Sequence, residues 1–234
     1  MEVGSAADWF SGAMSAAAVI VALGGYGFSI WQRKQDKKDA QRQAGRQIGI
    51  KLMKVLNGTL DIHRHIWAEY NGPPLGGEGA KEIWRTINPL IGLQDDPTVN
   101  LDASEINLLI EANATDFLME MMLVAARYQS ITSSMKEYQI RYEALYELSP
   151  PPLVMEGAVG RYELTREQYM RIRPYSVVLE ALIQSLRAMT AENNDKCRKL
   201  AQEYHPIMKA YFKGEKFLAL AEPDHSPKTT NPAV

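Results

Sequence analysis

One helical seam constrains the fold of this chain more than any other feature. Phe117, Met121, Val124, Tyr128, Ile131, Met135, Tyr138, Tyr142 and Leu145 follow one another at alternating steps of four and three. Apolar and aromatic side chains at that spacing line one face of an α-helix and no face of a strand. The seam predicts one helix over residues 114–148. Ser149 and the prolines at 150–152 stop it, because proline has no N–H to donate and clashes with the preceding turn.

Other seams extend the pattern. Ile48, Leu52, Val55, Thr59, Ile62 and Ile66 keep heptad spacing in a helix expected over 32–70, with Gly45 and Gly49 placed where a kink or rotation is expected. Residues 71–79, rich in Gly and Pro, break it. A shorter helix is expected over 80–93, ended by Asp95, Asp96 and Pro97. Asp102 or Ser104 can cap the next one, with Glu105 at the capping-box position of Asp102. Residues 153–164 read as a connector. Thr165 caps a further helix with Gln168 at the box position, and Pro174 is expected to bend it. Its buried face reads Ile172, Tyr175, Leu179, Leu182, Leu186, Met189, then Cys197, Leu200, Tyr204, Ile207 and Tyr211. Whether residues 191–194 divide it into two helices stays open at this level. Residues 222–234, polar and proline-rich, read as a disordered tail. With no strand alternation flanked by hairpin signals, the expected class is all-α. The expected architecture is a single N-terminal transmembrane helix followed by a cytoplasmic antiparallel bundle of long helices over 80–221.

The transmembrane expectation rests on residues 9–31, which carry no charge. As a helix these 23 residues would measure roughly 34 Å, enough for a hydrocarbon core of about 30 Å. Aromatics mark both ends: Trp9 and Phe10, then Tyr26, Phe28 and Trp31. A cleaved signal peptide would carry its basic residues ahead of the apolar stretch. Here residues 1–8, a short extracytoplasmic tail, hold only Glu2 and Asp8, and the basic run follows. Arg33, Lys34, Lys37, Lys38, Arg42 and Arg46 belong on the cytoplasmic side, which sets the N-terminus outside and the body inside. The same run suits anionic lipid. Within the span Ser11, Ser15, Ala18, Ala22, Gly25 and Ser29 form a seam of small residues. Three readings remain open: helix packing, the lining of a narrow pore in a ring of copies, and chance in an Ala- and Gly-rich stretch.

Catalytic chemistry finds little here. Gly76, Gly77 and Gly79 lack the Lys-Ser/Thr of a phosphate loop, and no nucleophile elbow occurs. Cys197, the single cysteine, sits on a seam and reads as a core thiol. His63, His65 and Glu69 do not share one helix face and make no metal site. Neither a metal nor another cofactor is expected, and the chain does not read as an enzyme. Arg161, Arg166, Tyr169, Arg171 and Arg173, with Tyr162 and Tyr175, alternate basic and aromatic side chains, a pattern that grips phosphates and stacks bases. The plainer reading is that the tyrosines pack and the arginines face water.

An uncharged segment opening on Asp8, Trp9 and Phe10, then Ala/Gly/Val-rich sequence, Trp31 and a basic helix, resembles small bacterial membrane effectors of anti-phage defence, the Hailong-type effector among them. The resemblance is one of architecture over the whole chain. It implies an oligomeric channel in the bacterial inner membrane, a tetramer being one stoichiometry, gated by an oligonucleotide that a partner nucleotidyltransferase makes. On that reading residues 11–29 line the pore, and the repeated basic belt gives an anion preference. The competing reading is a non-conducting membrane-anchored scaffold or sensor that recruits a cytoplasmic partner.

Overall fold

The computed structural model describes residues 6–68, 82–90, 92–93, 96–150, 154–156, 159–161, 163–213, 217 and 220, without the side chains of 6–13, 15–17 and 154–161. Four α-helices are present among these: α1 (Ala6–Trp67), α2 (Ala103–Glu111), α3 (Thr115–Leu148) and α4 (Arg166–Tyr211). The expected tail at 222–234 and the breaker at 71–79 lie outside the described residues.

The chain divides into two compact units, residues 1–46 and 47–234. The first holds most of α1. Among the described residues no helix is long and apolar enough to cross a membrane. The undescribed side chains of 6–13 and 15–17 belong to the stretch expected to span.

The second unit is all-α apart from one small hairpin. The seam of α3 turns inward as expected: seven of its nine members are buried, and Tyr128 and Tyr142 are half-buried. Every member of the Ile48–Ile66 seam on α1 is buried as well. Each isoleucine or leucine removed from water in this way contributes about 1.5–3 kcal/mol. These seams are filled within one chain, so they are not free to join copies.

Helix α4 runs antiparallel to both partners. Glu120 and Arg127 of α3 meet Lys196 and Glu192 of α4 at 3.0 and 2.7 Å. Against α1, Gly49 lies under Tyr204, Asn193 donates to the Thr59 hydroxyl at 3.0 Å, His63 meets Thr190, and Arg187 reaches the Ile66 carbonyl. One register satisfies all four contacts. Helices α1 and α3 therefore run in the same direction, so the bundle is antiparallel only with respect to α4.

Glycine at 49 and at 58 answers to close approach. A Cβ at Gly49 would stand 2.9 Å from the buried Tyr204 ring, and one at Gly58 would stand 2.5 Å from the Tyr128 hydroxyl. Gly49 was expected to permit a kink; instead it makes room for a ring, and α1 continues unbroken past Gly45 and Gly49.

Both capping boxes form. The Asp102 carboxylate accepts from the N–H groups of Ser104 and Glu105, and the Glu105 side chain returns to the Asp102 N–H. Thr165 and Gln168 do the same at the start of α4. Helix α4 passes through residues 191–194 and through Pro174 and Pro206 without a break.

Two expectations are corrected. Over 80–93 the described residues hold only a 3-10 turn, Ile83–Thr86, and then extended chain at Ile87. Pro89 forbids the helical hydrogen bond there and pushes Asn88 towards extended geometry. The Ile87 N–H closes the turn on the Trp84 carbonyl, and the Tyr138 hydroxyl lies 2.7 Å from the Ile87 carbonyl and 3.0 Å from that of Trp84, its one hydrogen shared between them. In the connector, β1 (Val154–Glu156) and β2 (Val159–Arg161) pair antiparallel, Val154 opposite Arg161.

Candidate functional site

In α1, Val19, Ile20, Val21, Leu23, Tyr26, Phe28, Ile30 and Trp31 are all exposed, Val21 by 73%. Residues 19, 20, 21 and 23 point in four directions, since each step turns about 100°. Large apolar side chains cover one broad face, and the rest of the circumference holds the small residues Ala18, Ala22, Gly25 and Ser29. Of the small-residue seam, Ala18, Ala22, Gly25 and Ser29 are exposed, while the side chains of Ser11 and Ser15 lie outside the described residues. A Cβ at Gly25 would touch nothing within 4 Å, and Ser29 donates back to the Gly25 carbonyl at 2.9 Å. Ser29 thus satisfies its hydroxyl within its own helix. Past Trp31 the basic residues Arg33, Lys34, Lys37, Lys38 and Arg46 are exposed, and the half-exposed Arg42 pairs with Asp39 at 2.6 Å.

The arginine cluster is partly assembled. Arg166, Tyr169 and Arg173 lie on one exposed face of α4, with Met170 and Val177 beside them. Arg171 is exposed on another face, and its neighbour Ile172 is buried. Arg161 falls in β2, its side chain outside the described residues. Arg166, Arg171 and Arg173 have no acidic partner among the described residues. Tyr175 is half-buried against the core, as its seam position requires.

The histidines separate. His63 Nδ1 lies 3.1 Å from the Thr190 hydroxyl, whereas His65 Nε2 lies 2.6 Å from the Asn88 carbonyl. Glu69 lies outside the described residues, and among those described no group of three potential ligands could hold a metal ion. Cys197 is buried, and burial pushes its thiol up to about 12, which leaves too little thiolate for nucleophilic work.

Two features escaped the sequence. The first is the end of α1. The Arg187 guanidinium places two N–H groups on the Ile66 carbonyl, at 3.0 and 2.9 Å, and stacks 4.4 Å from the centre of the Trp67 ring. It thus occupies a carbonyl that the helix leaves unpaired and completes a cation–π contact. Beside it, the Thr190 hydroxyl donates to the Leu186 carbonyl at 2.8 Å. With its hydrogen on that carbonyl, Thr190 accepts from His63 when the neutral ring carries its hydrogen at Nδ1.

Burial, with Arg198 and Arg187 nearby, holds His63 below its ordinary value of 6.5. As the pH falls below 6.5 the unfolded chain binds this proton first, so stability is full above that value and declines towards the folded one. Thermal melts of the whole chain in detergent should show a lower Tm at pH 5.5 than at 7.5, and His63→Gln should flatten that slope. An unchanged slope in the variant would remove His63 as its source. Asp96 and Asp102 are held below 3.8 by hydrogen bonds, from Lys54 and Ser104 first, so they titrate outside this window.

The second feature is a groove lined by Asn88, Pro89, Gln139, Tyr142, Glu143, Tyr146 and Glu147, with a volume of about 530 Å³. Its sequence signal is a second pair of i, i+4 rows, Tyr142 with Tyr146 and Glu143 with Glu147, beside the α3 seam.

No protein family matches the chain, and no curated protein or solved structure matches it.

Proposed function

We propose that the chain is a single-pass, oligomeric membrane effector whose N-terminal helices enclose a ligand-gated, anion-preferring channel. The observation that supports this reading is the uncharged stretch of α1 whose large apolar side chains, from Val19 to Trp31, are all exposed. An exposed, uncharged apolar stretch of this length suits a bilayer. Orientation follows from the basic belt, with the N-terminus outside and the body in the cytoplasm of a bacterium. Small residues at Ala18, Ala22 and Gly25 support close approach between copies, a tetramer being one stoichiometry. The belt at 33–46, repeated around the inner mouth, raises the local anion concentration.

The signal in this reading is an oligonucleotide or nucleotide from a partner nucleotidyltransferase, in an anti-phage role, as the resemblance implies. Arg166, Tyr169 and Arg173 offer phosphates two guanidiniums that have no acidic partner among the described residues, and a base one exposed ring. Because α1 also supplies the Ile48–Ile66 seam, a ligand that favours one packing of the bundle biases the helix that enters the membrane.

Purified protein in liposomes should pass chloride in preference to potassium. Ala22→Trp should abolish the current while leaving the oligomer intact, and Arg166→Glu with Arg173→Glu should remove the response to short oligonucleotides without removing the current. Intact oligomers that pass no ion, with or without oligonucleotide, would overturn the channel. The scaffold reading is favoured by the exposed Met119, Met122 and Leu123 on the outer face of α3, an apolar surface suited to a protein partner. It expects function to survive exchange of residues 9–31 for an unrelated anchor.

A further inference from the structure

We propose that the groove between the Asn88–Pro89 wall and the outer face of α3 is a binding site for an organic cation of the aliphatic diamine class. Its volume, about 530 Å³, lies within the range of small-molecule sites.

The groove is held open by packed aromatic groups. Tyr138 ties the wall to α3 with one hydroxyl hydrogen shared between the Ile87 and Trp84 carbonyls, and Glu180 of α4 accepts from the Trp84 N–H at 3.2 Å. The Tyr142 ring stands edge-on to Trp84, centroids 6.2 Å apart, and leans on Tyr138 at 6.0 Å. That ring is therefore in position before any ligand arrives. Tyr146, one turn further on, is exposed.

The lining selects the ligand. Among the described residues it offers two tyrosine rings, two carboxylates and two amides, and no basic side chain. Glu143 accepts from the Gln139 amide at 2.9 Å, and neither Glu143 nor Glu147 has a basic partner among the described residues. Phosphate is repelled by such a surface, and a cation is drawn to it. Tyr142 and Tyr146 form one row, Glu143 and Glu147 the next, each with the roughly 6 Å step of a helical turn. That step matches the separation of the two nitrogens in a diamine bridged by four carbons. Its methylenes would lie along the tyrosine row, with one ammonium at each glutamate and the rings adding cation–π attraction. One exposed ion pair adds little; two formed at once along a prearranged row give the site its selectivity.

The test is calorimetric titration of the whole chain in detergent with 1,4-diaminobutane, ethylenediamine and butylamine at low salt. The expected result is saturable binding of one diamine per chain, about tenfold tighter for 1,4-diaminobutane than for the other two. Glu143→Gln with Glu147→Gln should weaken it about tenfold or more, and Tyr146→Ala about two- to fivefold. These side chains face the open groove, and an unchanged circular dichroism spectrum would confirm the fold of each variant. Equal affinity for all three amines, or binding indifferent to the substitutions, would overturn the proposal and leave general attraction to an acidic surface. A basic side chain of a second copy is the other source of the same chemistry. Carbodiimide coupling between Glu143 or Glu147 and a lysine of an isotopically distinct copy, unaffected by 1,4-diaminobutane, would assign the groove to a subunit contact and overturn the free-diamine site. The outcome is independent of conductance.

Discussion

Lys51→Met is expected to lower the unfolding free energy by about 3–5 kcal/mol, the range for breaking one side of a buried ion pair. The Glu105 side chain is fully buried, and Lys51 is only 15% exposed. The ammonium lies 2.6 Å from Glu105 Oε2, which also accepts the Asp102 N–H at 2.7 Å. Glu105 Oε1 is buried with no hydrogen-bond partner. The carboxylate therefore depends on Lys51 for most of its compensation. Without the ammonium the buried carboxylate loses its only charged partner.

Glu105→Gln should cost less, about 1–3 kcal/mol. Lys51 would keep the Asn100 carbonyl at 2.8 Å and Asp102 at 3.9 Å, both near the surface. The double variant should be more stable than the sum of the two singles implies, and denaturant titration of all four proteins measures that coupling. A Lys51→Met variant within 1 kcal/mol of the parent would mean that water, not the lysine, compensates Glu105.

Where one residue class at fixed spacing sufficed, the fold was legible. The α3 seam, the α1 seam and both capping boxes needed only periodicity and a short polar pattern: α3 matches its expected bounds within a residue, α2 and α4 start at the expected caps, and α1 ends at Trp67, three residues before the expected 70. The same logic misled at 80–93. Ile83, Ile87, Leu90 and Ile91 have helical spacing, but the spacing reports burial, and Pro89 had already removed the helix as a way to achieve it. Trp84 and Ile87 are buried instead through a 3-10 turn held by the Tyr138 hydroxyl, a partner 54 residues away. Pairings of that kind were invisible throughout. Thr59 reads as an apolar-seam exception until Asn193 is placed against it, and Gly49 reads as a hinge until Tyr204 lies over it. The arginine cluster was legible as composition but not as a surface. Helical rotation separates Arg171 from Arg166 and Arg173, and only the burial of Ile172 shows which side faces water.

Placing two arginines in the apolar stretch of α1 should have the largest effect on the chain's behaviour as a whole. Val21→Arg with Leu23→Arg is expected to oppose membrane insertion by about 5–7 kcal/mol, at roughly 2.5–3.5 kcal/mol for each arginine near the middle of a spanning helix. Both positions are exposed in the single chain, so neither substitution disturbs a packed core, and the second unit should keep its helix content. In cells the parent should resist alkaline extraction from the membrane fraction, and the double variant should appear in the soluble fraction or be degraded. Val21→Leu with Leu23→Val keeps the apolar character and should behave as the parent. Snorkelling limits the effect at helix ends, so Trp31→Arg, at the start of the basic belt, should cost far less than Val21→Arg. That gradient from the centre to the flank is what separates a spanning helix from an apolar face docked on protein, where the cost would follow the contact and not the depth. Equal membrane association of the parent and the double variant would remove the anchor, and with it both the channel and the scaffold reading.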